Sequence, residues 1–344
     1  MGKQFLMSKK INLDEKILVA GSSGMAGSAI CRSLKKAGYG DKKLKGKIFT
    51  PQRSELNFLN LDSTKSWFRA NKPTVLIIAA ARVGGILANS SKPADFLFDN
   101  LRIQNNLFET IKEFGIKRLL FLGSSCIYPK FSIQPIKEDY LLSGSLEATN
   151  QWYAIAKITG IKLCESFRKQ YGIDALSLMP TNLYGPGDNY HKYESHVMAS
   201  LIRKFYEAKT LNQFEVNCWG TGSPLREFLH VDDLGRAVIF ALENWDPNDK
   251  KSPKNDNGDT LSYLNVGTGI DISIKKLAEL IANEYGYFGK IKWDHNKPDG
   301  TPKKLLDITR IREMGWEPKI TLEAGVKRTI SEFKEIYNSE NFKG

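Results

Sequence analysis

The chain has 344 residues, of which 41% are hydrophobic and 26% are charged, proportions typical of a folded globular protein. Its net charge of +12 favours anionic partners, but the lysines are spread along the chain, which argues against nucleic acid. No apolar run is long enough to cross a membrane, the N-terminal residues lack the apolar core of a signal peptide, and the four cysteines form no CxxC pair. We therefore expect a cytoplasmic protein with no membrane partner and no metal site.

The first half of the chain alternates strand and helix patterns. The apolar runs KILVAG, KIFTP, PTVLIIAAA, KRLLFLGSS and IDALSLMP predict strands, and GMAGSAICRSLKKAG, ADFLFDNLRIQNNLFETIKEFG and YAIAKITGIKLCESFRKQYG predict helices. Continuous apolar strands separated by helices are typical of a parallel sheet covered on both faces. The pattern predicts an α/β fold with a Rossmann-type, doubly wound parallel sheet.

The pattern changes after about residue 185. SHVMASLIRKFYEAK and ISIKKLAELIANEYG predict helices, while a polar, glycine-rich and proline-rich stretch, DPNDKKSPKNDNGDT, predicts an exposed loop. We expect residues 1–15 to form a disordered arm and residues 16–185 to form the Rossmann domain. Residues 186–344 are predicted to form mainly a smaller, mixed α/β substrate-binding lobe, with some segments returning to the Rossmann domain.

The stretch GSSGMAG joins the first predicted strand to the first predicted helix. Glycines at this point let the backbone approach a pyrophosphate, and the helix N-terminus offers free N–H groups to it. The second strand is followed by Arg53 rather than by an acidic residue, which suits a 2′-phosphate and favours NADP over NAD. The predicted cofactor-binding residues of these two segments are Gly21, Ser22, Ser23, Gly24, Met25, Gly27 and Arg53.

The sequence YAIAK places Tyr153 and Lys157 four residues apart, and therefore on one helix face. An ammonium beside a phenol stabilises the phenolate, so we expect the lysine to lower the pKa of the tyrosine and to make it an acid–base group. Ser124, in GSS after the fourth strand, is placed to hydrogen-bond the same substrate oxygen. A glycine-rich turn, a serine after the fourth strand and a YxxxK helix, in this order, form a specific set.

Longer motifs extend this interpretation from about Lys16 to the end of the chain. GSSCIYPK, MPTNLYGPGDN, SHV, REFLHVDD, NVGTG and KPDGTPKKLLD together resemble the GDP-L-fucose synthase family of the extended short-chain dehydrogenase/reductase superfamily. The resemblance implies NADPH-dependent 3,5-epimerisation and 4-reduction of GDP-4-dehydro-6-deoxy-D-mannose to GDP-L-fucose, and it implies a homodimer paired through two long helices of each subunit.

The resemblance also implies site residues. Ser124, Tyr153 and Lys157 serve the reduction, and Cys126 and His196 the epimerisation. A thiol and an imidazole both exchange protons near neutral pH, as the acidic C3 and C5 protons beside a C4 ketone require. By sequence, His191 is a rival for His196. The implied cofactor-binding residues further along the chain are Lys157, Pro180, Asn182, Leu183 and His196, and the implied substrate-binding residues are Asn182, Lys204, Trp219, Arg226, Asp299 and Lys304.

Two departures from the family pattern leave alternatives open. Lys204 lies where the family has an arginine that contacts the diphosphate, and a lysine keeps the charge but loses the forked donors. Ser22 and Ser23 lie where a basic residue is frequent, so a 2′-phosphate depends more on Arg53. The alternatives are the same chemistry, or reduction without epimerisation, on a related GDP-4-keto sugar such as a 6-deoxy-heptose, and, more distantly, a non-catalytic nucleic-acid-binding protein. A dehydratase is disfavoured because SSCIYP offers no acidic residue beside the serine.

Overall fold

The computed structural model describes residues 9–85, 89, 91–192, 194–297 and 299–338. Its strands, in chain order, are β1 (Lys16–Ala20), β2 (Lys47–Phe49), β3 (Val75–Ile78), β4 (Arg118–Leu122), β5 (Asp174–Pro180), β6 (Asn182–Tyr184), β7 (Glu215–Trp219), β8 (Leu225–His230), β9 (Tyr263–Val266), β10 (Asp271–Ser273), β11 (Lys290–Asp294) and β12 (Lys303–Lys304). Its longer helices are α1 (Met25–Lys36), α2 (Leu61–Asn71), α3 (Pro93–Phe114), α4 (Gln151–Tyr171), α5 (Val197–Thr210), α6 (Val231–Asn244), α7 (Ile274–Tyr285), α8 (Thr309–Glu313) and α9 (Leu322–Tyr337).

A parallel sheet forms the centre of the molecule. Among the described residues it has six strands in the order β2-β1-β3-β4-β5-β9, and every neighbouring pair is parallel. β3 and β4 are buried along their whole length, as expected of strands covered by helices on both faces. The strand order reverses between β1 and β3, and in open α/β sheets such a point is where a nucleotide binds. The predicted Rossmann-type fold is confirmed.

Smaller sheets lie beyond this one. β8 pairs with β10 and β12, and it also pairs with β6, while β7 pairs with β11. The apolar side chains form two buried clusters. One surrounds the parallel sheet, and the other gathers side chains from α5, α7 and α9 with β7 and β8. Strands of the second region therefore run beside the carboxyl ends of the main sheet, where the candidate site lies.

The N-terminal segment differs from the predicted disordered arm. Residues 1–8 lie outside the described residues, but residues 9–15 are ordered. Ile11 is fully buried in the main core, and the backbone N–H of Lys10 donates to the carbonyl of Glu243 at 2.8 Å. Burial of the Ile11 side chain in the core orders the residues beside it. The polar composition of the segment does not reveal this.

No helix among the described residues is both long enough and apolar enough to cross a membrane.

Candidate active site

The glycine turn after β1 has the shape of a phosphate cradle. Gly21 has a φ of +86°, and a Cβ at this position would lie 2.6 Å from the backbone nitrogen of Ala80. A Cβ at Gly27 would collide with the carbonyl of Gly21. At Gly24 the nearest described atom is 3.6 Å away, so the fold itself leaves space there. Two glycines are thus required by the protein's own backbone, and the third keeps a surface open for a ligand.

The surroundings of this turn also suit an anionic cofactor. No side chain among the described residues caps the N-terminus of α1, so its first N–H groups point outward. Ser23 is exposed, and Ser22 and Met25 are half-buried along the same turn. Arg53 is exposed beyond β2 and has no hydrogen bond or ion pair with any other residue that the structure describes. The residues present therefore fit a dinucleotide, with a free guanidinium available for a 2′-phosphate.

Ser124 and Cys126 follow β4 directly. Ser124 caps a short 3₁₀ turn, Ser125–Ile127, by accepting a hydrogen bond from the backbone N–H of Cys126 at 3.2 Å. This turn halts the strand and presents both side chains, each half-buried, at the carboxyl end of the sheet. The unusual GSSC ending of the strand therefore has a structural reason, because the serine fixes the position of the cysteine.

Tyr153 and Lys157 approach this point from α4. The Lys157 ammonium lies 5.7 Å from the centre of the Tyr153 ring and 4.8 Å from that of Phe121. It donates to the carbonyl oxygen of Leu122 at 2.6 Å and is 2% exposed. Burial lowers the pKa of Lys157 to about 7. Tyr153 hydrogen-bonds Ser124, so the helix and the strand end are joined through their side chains.

One expectation about this pair is wrong in the structure. Burial raises the pKa of Tyr153, the nearby sulfur of Cys126 raises it further, and the hydrogen bond to Ser124 opposes both effects without overcoming them. Lys157 does not contribute, because its ammonium is directed to the carbonyl of Leu122 and its own charged form is disfavoured by burial. The helix spacing predicts that the two residues share one face, but it does not reveal that this face is buried away from water.

Cys126 lies beside a cation supplied by the other end of the chain. The ammonium of Lys304 donates to Sγ of Cys126 at 3.4 Å. Burial raises the pKa of this thiol, but Lys304, the hydrogen bond to Ser124 and the charge of Arg226 together lower it by more, so that the net shift is downward. Lys304 and Arg226 are direct partners in the parallel pairing of β12 with β8.

His196 is the residue before α5. Its side chain is exposed and makes no capping hydrogen bond to described residues. Enough protein surrounds the ring that desolvation lowers the pKa of His196, and the charge of Lys304 lowers it further. The backbone N–H of Gly85, in the loop after β3, donates to the carbonyl of Glu194 at 3.1 Å, which ties this segment to the carboxyl end of the main sheet. His191 lies five residues earlier, in the loop before α5.

The predicted substrate residues divide into two groups. Arg226 and Lys304 face the thiol, as described above. Trp219, which is 51% exposed, lies further out with two lysine ammonium groups near its ring, Lys204 at 5.8 Å and Lys297 at 5.4 Å. Lys204 also donates to the carbonyl of Asn217 at 2.8 Å, and burial lowers its pKa. This outer group offers an aromatic surface and positive charge.

Asp299 and Asn182 have structural tasks. The carboxylate of Asp299 accepts the backbone N–H and the hydroxyl of Thr221 at 2.7 and 2.8 Å, and so holds the turn after Trp219. Asn182, half-buried at the start of β6, donates to the carbonyl of Glu227 at 2.8 Å. Pro180 ends β5, and Leu183 follows in β6. All four therefore lie at the carboxyl end of the main sheet or along the rim of the cleft.

Sequence reasoning missed Glu227. Its carboxylate is fully buried and accepts the backbone N–H groups of Thr268, Gly269 and Leu306 at 2.6, 2.7 and 3.0 Å. It thereby fastens the chain just after Lys304 to β8. The available signal was a charged residue inside the strand run LREFLHV, where an ion is costly unless it is fully hydrogen-bonded.

Within the described residues, no group of three or more histidine, cysteine, aspartate or glutamate side chains could hold a metal ion.

Comparison with known proteins gives four informative matches. The sequence matches the NAD dependent epimerase/dehydratase family over residues 17–255. It is 49% identical over 321 residues to the probable GDP-L-fucose synthase 1 of Oryza sativa subsp. japonica, covering 93% of this chain and 92% of that one. The fold is similar to a GDP-L-fucose synthetase from Naegleria fowleri bound to NADP, with a TM-score of 0.83, 25% identity and coverage of 96% and 98%. It is also similar to a GDP-6-OMe-4-keto-L-xylo-heptose reductase from C. jejuni, with a TM-score of 0.84, 33% identity and coverage of 94% and 99%.

Proposed function

The chain belongs to the NAD dependent epimerase/dehydratase family, and from that premise we propose that it is a bifunctional 3,5-epimerase and 4-reductase that converts GDP-4-dehydro-6-deoxy-D-mannose to GDP-L-fucose. The observation that carries the proposal is the thiol of Cys126, held beside Ser124, Tyr153 and Lys304 at the end of β4. Reduction needs a proton donor and a cofactor, but it has no use for a polarised thiol. Epimerisation beside a ketone needs such a base.

NADP is the cofactor that the site fits. The turn from Gly21 to Gly27 and the uncapped start of α1 would hold the pyrophosphate, and Arg53 would hold the 2′-phosphate. Lys157, Pro180, Asn182, Leu183 and His196 border the region where the nicotinamide end belongs. When bound, NADPH supplies a hydride to C4 of the sugar.

The reductase groups stand at the end of β4. Ser124 and Tyr153, already hydrogen-bonded to each other, present two hydroxyl groups to the C4 oxygen. Burial keeps Tyr153 protonated across the neutral range, so it serves as the proton donor to that oxygen as the ketone becomes an alcohol. Tyr153 is left as a phenolate, and the ammonium of Lys157, whose pKa is about 7 and whose Nζ lies 5.7 Å from the centre of the Tyr153 ring, gives up the proton that restores the phenol.

The epimerase groups share the same ketone. Removal of the proton from C3 or C5 leaves an electron pair that moves onto the C4 oxygen, where the hydroxyl groups of Ser124 and Tyr153 stabilise it. Cys126 takes the proton as its sulfur is polarised toward the thiolate, and His196 exchanges a proton with the ring carbon from the other side of the cleft. Both groups titrate closer to neutrality than a hydroxyl would.

The nucleotide part of the substrate extends from Arg226, beside the thiol, to the outer group. Arg226 has a fork of donors for a phosphate, and Lys204 adds a second positive charge near the exposed face of Trp219. Asp299 supports this region through the turn that it holds rather than by direct contact. We assign residues 16–185 mainly to the cofactor and residues 186–344 mainly to the sugar nucleotide.

A second candidate is the same reaction, or reduction without epimerisation, on a related GDP-4-keto heptose. Similarity to the C. jejuni heptose reductase favours it, as does Lys204 at a position where the forked donors of an arginine are expected.

The test is incubation with NADPH and GDP-4-dehydro-6-deoxy-D-mannose in deuterated water, with the product examined by NMR. We expect GDP-L-fucose carrying deuterium at C3 and C5, and we expect Cys126→Ser to give reduction without deuterium. Reduced sugar with no deuterium and unchanged ring stereochemistry from the wild-type protein refutes the epimerase. No turnover of this sugar, with turnover of the heptose, favours the second candidate.

We also propose a homodimer formed by α3 and α4. These adjacent helices carry large apolar side chains that face solvent in the single chain, with Phe98 63% exposed and Trp152, Ile155 and Tyr171 between 37% and 41% exposed. Pairing of the two helices with those of a second subunit would bury these side chains.

The four free cysteines fit a reducing cytoplasmic location. We propose no nucleic-acid partner, because the catalytic site accounts for the positively charged groups of the main cleft.

A further inference from the structure

Lys304 is held in place by the backbone on either side of it. β12 pairs with β8 so that Lys304 lies opposite Arg226. The next residue, Leu305, donates its N–H to the side-chain oxygen of Gln134 at 2.9 Å, and Leu306 donates to Glu227 at 3.0 Å. The anchored backbone fixes where the side chain of Lys304 begins, and the hydrogen bond to Sγ of Cys126 at 3.4 Å fixes where its ammonium lies. Its position against the sulfur is therefore built into the fold.

The charged and titratable groups around the sulfur of Cys126 come from several elements. Lys304 lies on β12, Arg226 on β8, and the phenol of Tyr153 on α4. A small cavity of about 30 Å³ behind the sulfur is also lined by Lys303, Lys130 and Glu147. Lys130 is paired with Glu147 at 2.9 Å, and Lys303 with Asp271 at 3.2 Å. Lys304, which donates directly to the sulfur, has no carboxylate within ion-pair distance among the described residues.

We propose that Lys304 is a positioning residue for Cys126: its ammonium donates to Sγ and keeps the sulfur ionised, so that the thiolate is ready as the base before the sugar binds. This goes beyond a contact to the substrate phosphates, because it gives Lys304 a task in the free protein. Lysine suits the task since an ammonium is a compact point charge that can face a single sulfur atom.

The consequence for the reaction rests on the proposed function. The C–H bond at C3 or C5 breaks as an S–H bond forms on Cys126, and the electron pair of the C–H bond moves to the C4 oxygen. The proton is transferred to a thiolate, so the sulfur does not have to lose a proton first. Lys304 keeps its three protons throughout and takes part as a charge and a hydrogen-bond donor.

The experiment measures the ionisation of Cys126 in the protein without sugar or cofactor. The rate of alkylation by iodoacetamide, followed at the peptide that contains Cys126 by mass spectrometry, is recorded against pH, because the thiolate is the form that reacts. Cys31, Cys164 and Cys218 are buried and give separate peptides. The variants are Lys304→Met, Lys304→Gln and Lys304→Arg, with Lys303→Met as the matched control, because it removes an equal charge one residue away.

We expect Lys304→Met and Lys304→Gln to raise the pH midpoint of alkylation by about one unit or more, which is about a tenfold loss of thiolate on the acid side. Lys304→Arg keeps the positive charge, so its midpoint should lie close to that of the wild type. Lys303→Met should leave the midpoint at the wild-type value. An unchanged midpoint in both neutral variants overturns the proposal. So does a variant whose KM for the sugar rises while the midpoint stays fixed, because Lys304 then serves the substrate and not the sulfur.

Deuterium exchange completes the test. Lys304→Met lowers kcat for incorporation of deuterium at C3 and C5 more than it lowers kcat for hydride transfer to an already epimerised sugar. Equal losses in both rates overturn the role in epimerisation. The alkylation experiment contains no sugar, so its outcome is independent of whether GDP-L-fucose is the true product.

Discussion

Replacing Glu227 tests whether a buried carboxylate maintains the geometry of the site. Its oxygens accept three backbone N–H groups that join β8, the loop after β9 and the chain after Lys304. The donor of Leu306 is buried, while those of Thr268 and Gly269 are partly reached by water, so loss of their acceptor falls short of the full penalty for each. We therefore expect Glu227→Ala to lower the free energy of unfolding by about 2–5 kcal/mol.

The measurement is urea unfolding followed by circular dichroism, where the midpoint should fall without a change in slope. Glu227→Gln keeps one acceptor oxygen but turns an amide N–H toward the other donors, so its loss should be smaller, about 1–3 kcal/mol. Glu279→Ala, on the exposed face of α7, is the control and should change stability by no more than about 0.5 kcal/mol. If Glu227→Ala lies within about 1 kcal/mol of the wild type, the carboxylate is not what fastens these segments.

Three further outcomes follow from the site. Gly24→Ala should leave the melting temperature unchanged, because no atom of the described residues lies closer than 3.6 Å to the new Cβ, and it should raise KM for NADPH. Gly27→Ala should destabilise the fold through its clash with Gly21, and equal melting temperatures for the two variants would contradict this. The pH profile of kcat/KM for deuterium exchange should be bell-shaped, with activity gained as the Cys126 thiolate forms and lost as protonated His196 disappears. Because the pKa of each group is lowered, both limbs should lie at lower pH than for an unperturbed thiol and imidazole, and a profile displaced to higher pH would refute the assignment. Phe98→Glu should convert a dimer into a monomer by light scattering, with Phe288→Glu, a 93% exposed position away from α3 and α4, as the control; a dimer that survives Phe98→Glu places the interface elsewhere.

The parallel sheet could be predicted because its strands are continuous apolar runs, and such runs are forced by burial on both faces. The glycine turn and the Tyr153–Lys157 face could be predicted because both depend on spacing within one element. The contact between Cys126 and Lys304 could not, since it joins residues 178 positions apart and arises from the pairing of β12 with β8. The pKa of Tyr153 was predicted in the wrong direction because the sequence shows neither the burial that raises it nor the direction of the Lys157 ammonium toward the carbonyl of Leu122.

The two halves of the proposed reaction draw on different parts of the fold. Ser124 follows β4, and Tyr153 and Lys157 lie on α4; in the proposed reaction these residues serve the C4 oxygen in both steps. His196 precedes α5, and Lys304 and Arg226 come from strands that run beside the sheet edge. Substitutions of Ser124, Tyr153 or Lys157 should therefore stop both reactions, whereas substitutions of His196 or Lys304 should weaken epimerisation while hydride transfer continues. The fold thus gives a physical reason why relatives that keep the sheet and its hydroxyl groups can differ in whether they invert the sugar before they reduce it.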